Sequence, residues 1–135
     1  MQKLLFQLKN AHLLNIEEIL ALDVELGKFF GHLIKDNFAE ESFDYISSHG
    51  HTILHQPEKG FTLQIGNPNW IKSICNKTVI YDFRSYDVAL NGQGAPLVPI
   101  GDKFLFNEFD ACINLGGFSN ISFDDNKQRI AFDIS

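Results

Sequence analysis

Residues 82–99 read DFRSYDVALNGQGAPLVP, a run in which an apolar strand, TVIY at 78–81, opens into charge, glycine and proline. Asp82, Arg84 and Asp87 come first, then Gly92, Gln93 and Gly94, then Pro96 and Pro99. Glycine lets main chain approach a ligand closely, and proline fixes a loop around it. Two readings are open on these residues alone: a long structural turn held by Asx-type hydrogen bonds, or a ligand-binding loop. The flanking sequence has to decide between them.

Upstream, Ile19, Leu22, Leu26, Phe29, Phe30 and Leu33 recur at spacings of three and four, which predicts a helix with one apolar face. Asn15 with Glu18 three positions on has the form of a capping box, and a shorter helix is expected over 3–9. From Phe43 the pattern turns to short strands: FDYIS, SHGHTILHQ, a turn over 57–60, then FTLQI, with 52–56 and 61–65 forming a hairpin. Asn67 and Pro68 supply a cap and a first-turn proline for the helix NWIKSIC. Downstream, a helix is expected over 101–109. ACINL, FSNISF and RIAFDIS then read as a three-stranded antiparallel meander. The class is α/β or α+β.

At 135 residues and 44% hydrophobic, the chain has enough apolar content for one core. A net charge of -6, with Arg84 and Arg129 the only arginines, leaves no basic stripe for a phosphate backbone, so nucleic acid is not an expected partner. Cys75 and Cys112 lack CxxC spacing and read as reduced thiols of a cytoplasmic protein. The opening MQKLLFQLKN is too short an apolar stretch for a signal sequence or a bilayer span, so no membrane is expected.

Three constellations carry chemistry. His49, His51 and His55 would share one face of a period-two strand, a geometry able to hold zinc. No fourth ligand at a suitable spacing accompanies them, and no metal site is assigned. NLGGFSN at 114–120 joins two strands through Gly116 and Gly117 and reads either as a plain hairpin or as a turn presenting N–H groups to a phosphate. Asp133 follows the apolar residues Ile130, Ala131 and Phe132; it is either a solvated carboxylate or, facing a cleft, a general base.

Together, SHGHTILHQP at 48–57, FTLQIGN at 61–67, VIYDFRSYDVALNGQGAPLVP at 79–99, INLGGFSNIS at 113–122 and AFDIS at 131–135 resemble the anhydro-N-acetylmuramic acid kinase family of the actin-like sugar kinases. The resemblance implies a ribonuclease-H-like, actin-like α/β fold, present in part. It places the remainder of an N-terminal lobe at 1–110, helical over 1–42 with sugar-cleft blocks over 43–99, and the start of a second lobe at 111–135. It also implies hydrolysis of the 1,6-anhydro ring and phosphorylation of O6 with ATP and Mg²⁺, in recycling of cell-wall amino sugars. On that reading Asp133 activates the attacking water, and Asn114, Gly116, Gly117 and Asn120 line the phosphate path. Asp82, Arg84, Asp87 and Gln93 organise the sugar cleft, with His49 and Thr52 at its edge. Arg84 suits a lactyl carboxylate or a phosphate because its fork grips two oxygens at once.

The sequence also departs from that family. Its glycine, serine and threonine-rich first phosphate loop, resembling MSGTSxDG, has no counterpart before residue 43, and Ile134 stands where threonine is usual in a DTGPGN-like run. The adenosine-binding lobe has no counterpart either. The expectation is an interior piece of the kinase, inactive alone, with exposed apolar surface that drives self-association into a homodimer. The alternative is a non-catalytic fragment of the same fold, sugar-binding or purely structural.

Overall fold

A computed structural model describes residues 2–38, 41–116, 119–126 and 128–134. Helix α1 (Gln2–Lys9) leads through a 3₁₀ turn into the long helix α2 (Ile16–Asn37). The expected capping box starts α2: Glu18 N–H donates to Asn15 Oδ1 at 3.0 Å, and Asn15 N–H donates to Glu18 Oε2 at 2.9 Å. Of the predicted stripe, Leu22 and Leu26 enter the core with Leu4, Ala11 and Ile65. Leu33, at the far end of the helix, is exposed.

Strand β1 (Tyr45–Ser48) is followed by the antiparallel hairpin β2 (His51–Gln56) and β3 (Phe61–Ile65), helix α3 (Pro68–Cys75) and strand β4 (Thr78–Tyr81). β4 returns parallel to β1, in the register Tyr45↔Thr78 to Ser48↔Tyr81. Parallel pairing puts the carboxyl ends of both strands at one edge, so the residues after Ser48 and after Tyr81 emerge together. In open α/β sheets this edge is where ligands bind.

α3 packs closely on α2 because α2 carries glycine where the helices cross. A Cβ built on Gly27 would lie 2.5 Å from the Asn67 carbonyl oxygen, and one on Gly31 would lie 2.8 Å from Ile74 Cδ1. Cys75 belongs to the same seam, its thiol donating to the Gly31 carbonyl at 3.3 Å. Burial pushes the Cys75 thiol above its usual 9.0, and the Lys35 ammonium pulls it back more weakly. A raised thiol favours the protonated, folded form. Its stabilising contribution is therefore intact below the unfolded value and is lost as pH rises through the folded one. Urea unfolding measured from pH 7 to 10 is expected to show stability falling above about pH 9, with a shallower fall in Cys75→Ala.

The loop read over 82–99 contains a helix, α4 (Ser85–Ala89), and ends inside another, α5 (Val98–Leu105). α5 replaces the helix expected over 101–109, because Pro99 sits in its first turn, where a fixed φ suits the helix and the missing N–H costs nothing. The chain packs as two compact units, 1–92 and 93–135, so the division between them falls within this loop. The second unit holds α5 and the predicted meander β5 (Ala111–Leu115), β6 (Ser119–Asp125) and β7 (Gln128–Asp133), paired in the order β5-β6-β7. Among the described residues no helix is long and apolar enough to cross a membrane.

Candidate functional site

In the first unit the carboxyl edge of β1 and β4 opens into a cleft of ≈ 380 Å³. Ser48, His49 and Gly50 line it from the end of β1, and Tyr81, Asp82 and Ser85 from the end of β4. β3 and the turn after it contribute Thr62 to Asn67, and α2 contributes Asp23. Part of the floor is main chain. Gly50 has φ +74°, a Cβ there would lie 2.3 Å from the Ile65 carbonyl oxygen, and Gly66 has φ +120°. Neither conformation suits a side chain.

Arg84 and His49 join the two strand ends, Arg84 Nε donating to His49 Nε2 at 2.8 Å. A guanidinium only donates, so His49 Nε2 carries the lone pair and Nδ1 carries the hydrogen. That hydrogen is given to the Gly50 carbonyl, 3.1 Å away. The bond thus selects one neutral tautomer of His49. Partial burial lowers the Arg84 guanidinium from its ordinary value. Asp82 adopts φ +58°, and its Oδ1 accepts from Ser85 N–H at 3.2 Å, which starts α4.

The other expected sugar-side residues are more scattered. Asp87 lies on α4 with its carboxylate against Gly92, where a Cβ would come within 2.2 Å of Oδ2. Thr52 accepts from Gln64 Nε2 at 3.4 Å and, like Asp87 and Arg84, is not among the residues lining the cleft. Gln93 is exposed at the start of the second unit.

The three histidines do not share a strand. Gly50 separates His49 from His51, and the ladder shifts register between Thr52 and Leu54. His55 pairs instead with Thr62 Oγ1 at 3.1 Å, and among the described residues no three His, Cys, Asp or Glu side chains converge.

Asp23 escaped the sequence reading. Its Oδ1 accepts from Gly66 N–H and its Oδ2 from Asn67 Nδ2, each at 2.8 Å, tying the turn before α3 to α2. The signal was present in the sequence: Asp23 shares the helical face of Ile19 and Gly27. An acid beside glycine on a packing face marks a polar backbone nearby.

In the second unit the register brings three predicted residues into one row. Asn114 pairs with Asn120 and Asn120 with Asp133, so their side chains project from one face of the sheet. Asn120 is buried; Asn114, Gly116 and Asp133 are exposed. Ile134 N–H donates to the Ser119 carbonyl at 2.8 Å, holding the end of β7 beside β6. Gly117 lies outside the described residues.

A mixed α/β chain of short sheets and helices, with a cleft at the carboxyl edge of its parallel strands, has the character of a partial ribonuclease-H-like, actin-like fold. The family model for anhydro-N-acetylmuramic acid kinase matches residues 1–135, and the chain belongs to that family. It is 50% identical over 97 residues to the anhydro-N-acetylmuramic acid kinase of Pseudomonas fluorescens, covering 69% of this chain and 27% of that protein. The kinase of the same description from Coxiella burnetii is 42% identical over 124 residues, covering 82% and 33%. That of Bacillus cereus is 40% identical over 136 residues, covering 88% and 36%. The chain thus spans 27 to 36% of the length of these curated relatives.

Proposed function

We propose that this segment supplies sugar-binding residues and the water-activating carboxylate of a kinase. That kinase hydrolyses the 1,6-anhydro ring of anhydro-N-acetylmuramic acid and phosphorylates the released O6, in cytoplasmic recycling of cell-wall amino sugars. The observation that carries this reading is the row Asn114, Asn120, Asp133, in a chain whose whole length matches the family. An exposed carboxylate at the end of a row of amides can take a proton while the amides orient what lies beside it.

In this reading Asp133 removes a proton from water as the water oxygen bonds to C1 and the C1–O6 bond breaks. Bound ATP supplies the phosphoryl group that O6 receives, and ADP departs. Asn114, Gly116, Gly117 and Asn120 line the phosphate path, the amides and main-chain N–H groups being donors of the kind phosphate oxygens accept. These donors fit a phosphoryl group. Among the described residues no three His, Cys, Asp or Glu side chains converge, so a Mg²⁺ ion would be held mainly by the ATP phosphates and water with one or two carboxylates.

On the sugar side, Arg84 receives the lactyl carboxylate, with its fork steadied by His49. Asp82, Asp87, Gln93 and Thr52 are the polar groups for hydroxyls and the N-acetyl arm. Self-association into a homodimer through exposed apolar surface is part of the same reading.

Calorimetry of the 135-residue chain with the anhydro sugar tests the sugar side. Arg84→Ala is expected to weaken binding about tenfold or more, the scale of one charge-assisted hydrogen bond. His49→Ala should cost less, and the double variant little more than Arg84→Ala, because the two residues act as a unit. No binding by the unaltered chain, or unchanged affinity in Arg84→Ala, would defeat this assignment.

A further inference from the structure

The meander has an unusual distribution of polarity. Its register puts Cys112, Asn114, Asn120, Ser122, Arg129 and Asp133 on one face, and Ile113, Ile121, Phe123, Ile130 and Phe132 on the other. The middle of the polar face is covered, while Asn114 and Asp133 at its end are exposed. Ser122 is fully buried and Asn120 is 9% exposed, whereas Ile113 on the opposite face is 60% exposed.

What covers the polar face is α5, through a single carboxylate. Asp102, itself 7% exposed, accepts the Ser122 hydroxyl hydrogen at 2.5 Å. The same hydroxyl oxygen accepts from Arg129 Nη2 at 3.1 Å, and Arg129 Nη1 reaches Asp124 Oδ2 at 3.5 Å. The Arg129 side chain is 8% exposed, and its buried Nε has no partner among the described residues. Such a network is an expensive way to hold a helix on a sheet, since buried charge rarely stabilises more than apolar packing would. Its strength is specificity. Slipping β6 by one residue would swing Ser122 to the far face and set Ile121 or Phe123 against a buried carboxylate.

We propose that Asp102 is a positioning residue for Asp133, acting through Ser122 to fix the β6–β7 register. Ser122 lies two residues from Asn120 on the same face, and Asn120 is the cross-strand partner of Asp133. Arg129, held from the other side of Ser122, anchors β7 four residues before Asp133. The catalytic meaning of this assignment rests on the reading of Asp133 as the water-activating carboxylate. The structural claim does not.

Amide hydrogen exchange on the full 135-residue chain separates the two. Asp102→Asn keeps the shape of the side chain but removes its charge. It is expected to speed exchange at the Ile134 amide about tenfold or more, with the cross-strand NMR contact between Asn120 and Asp133 weakened. Amides of the β5–β6 ladder should stay within about twofold, because the link that continues from Ser122 is Arg129 on β7 and not a residue of β5. Ser122→Ala should do the same, and the double variant should be no worse than either single change. Equal acceleration across the whole second unit would reduce Asp102 to an ordinary structural residue and overturn the proposal. No change at Ile134 would overturn it as well. If Asp133→Asn left turnover intact while exchange behaved as expected, the failure would lie with the role of Asp133 and not with the register device.

Discussion

Asp133→Asn is expected to lower turnover by about a thousandfold while leaving affinity for the anhydro sugar within about threefold. The amide keeps the size and hydrogen-bonding reach of the carboxylate but cannot take a proton from water. An effect confined to kcat therefore identifies a base, not a binding group. Asp133 is exposed at the end of β7, beside Asn120, and among the described residues its side chain makes no hydrogen bond, so the change leaves the meander intact. The measurement calls for a chimaera in which residues 1–135 replace the matched segment of the Coxiella burnetii relative, assayed with ATP and the anhydro sugar. Turnover within a few fold of the unaltered chimaera would remove Asp133 from the mechanism.

Gly27→Ala should destabilise the first unit by about 2–3 kcal/mol, against the usual gain of about 1 kcal/mol for replacing a helical glycine. The added methyl would meet the main chain of Asn67, at 2.5 Å from its oxygen and 2.9 Å from its nitrogen, and backbone cannot rotate aside. Relief requires moving the start of α3. That start is held by Asp23 at Gly66 and Asn67, and α3 lies against α2 with the Lys28 ammonium 4.0 Å from the Trp70 ring centre. Gly101 makes the matching control. It lies within α5 with open space where its Cβ would go, so Gly101→Ala should stabilise the second unit by about 0.5–1 kcal/mol. Urea unfolding of both variants, followed by tryptophan fluorescence for the first unit and circular dichroism for the second, reads the two signs. Equal effects would mean that the close α2–α3 crossing does not limit the fold.

The sequence was most legible where structure is local. The α2 capping box, the β2–β3 hairpin, the proline-started α3 and the three-stranded meander each depend on residues within a few positions of one another, and each formed as read. The parallel pairing of β1 with β4 was not legible, because a strand's own residues do not name a distant partner. The family resemblance supplied the fold class that periodicity left open. The site divides in the same way. His49 and Arg84 could be picked out as types, but their 2.8 Å contact depends on that long-range pairing. Asp23 looked like one more acid on a helix until α3 came down upon it.

The loop over 82–99 was misread in one respect: glycine and proline concealed the single helical turn Ser85–Ala89, which an aspartate in a left-handed conformation starts. The histidine face failed for a related reason. Period-two alternation assumes an unbroken strand, and Gly50 breaks it between the first and second histidine.

Gly50 and Gly66 bear on how such a cleft can change over time. Because part of the floor is main chain, its polarity is the same whatever substitutions arise, and replacing either glycine damages the fold before it alters the ligand. Variation in what the cleft accepts is therefore confined to its walls, where side chains line it. The cleft is constrained from below and adjustable at its sides, so its ligand range should drift gradually while its depth stays fixed.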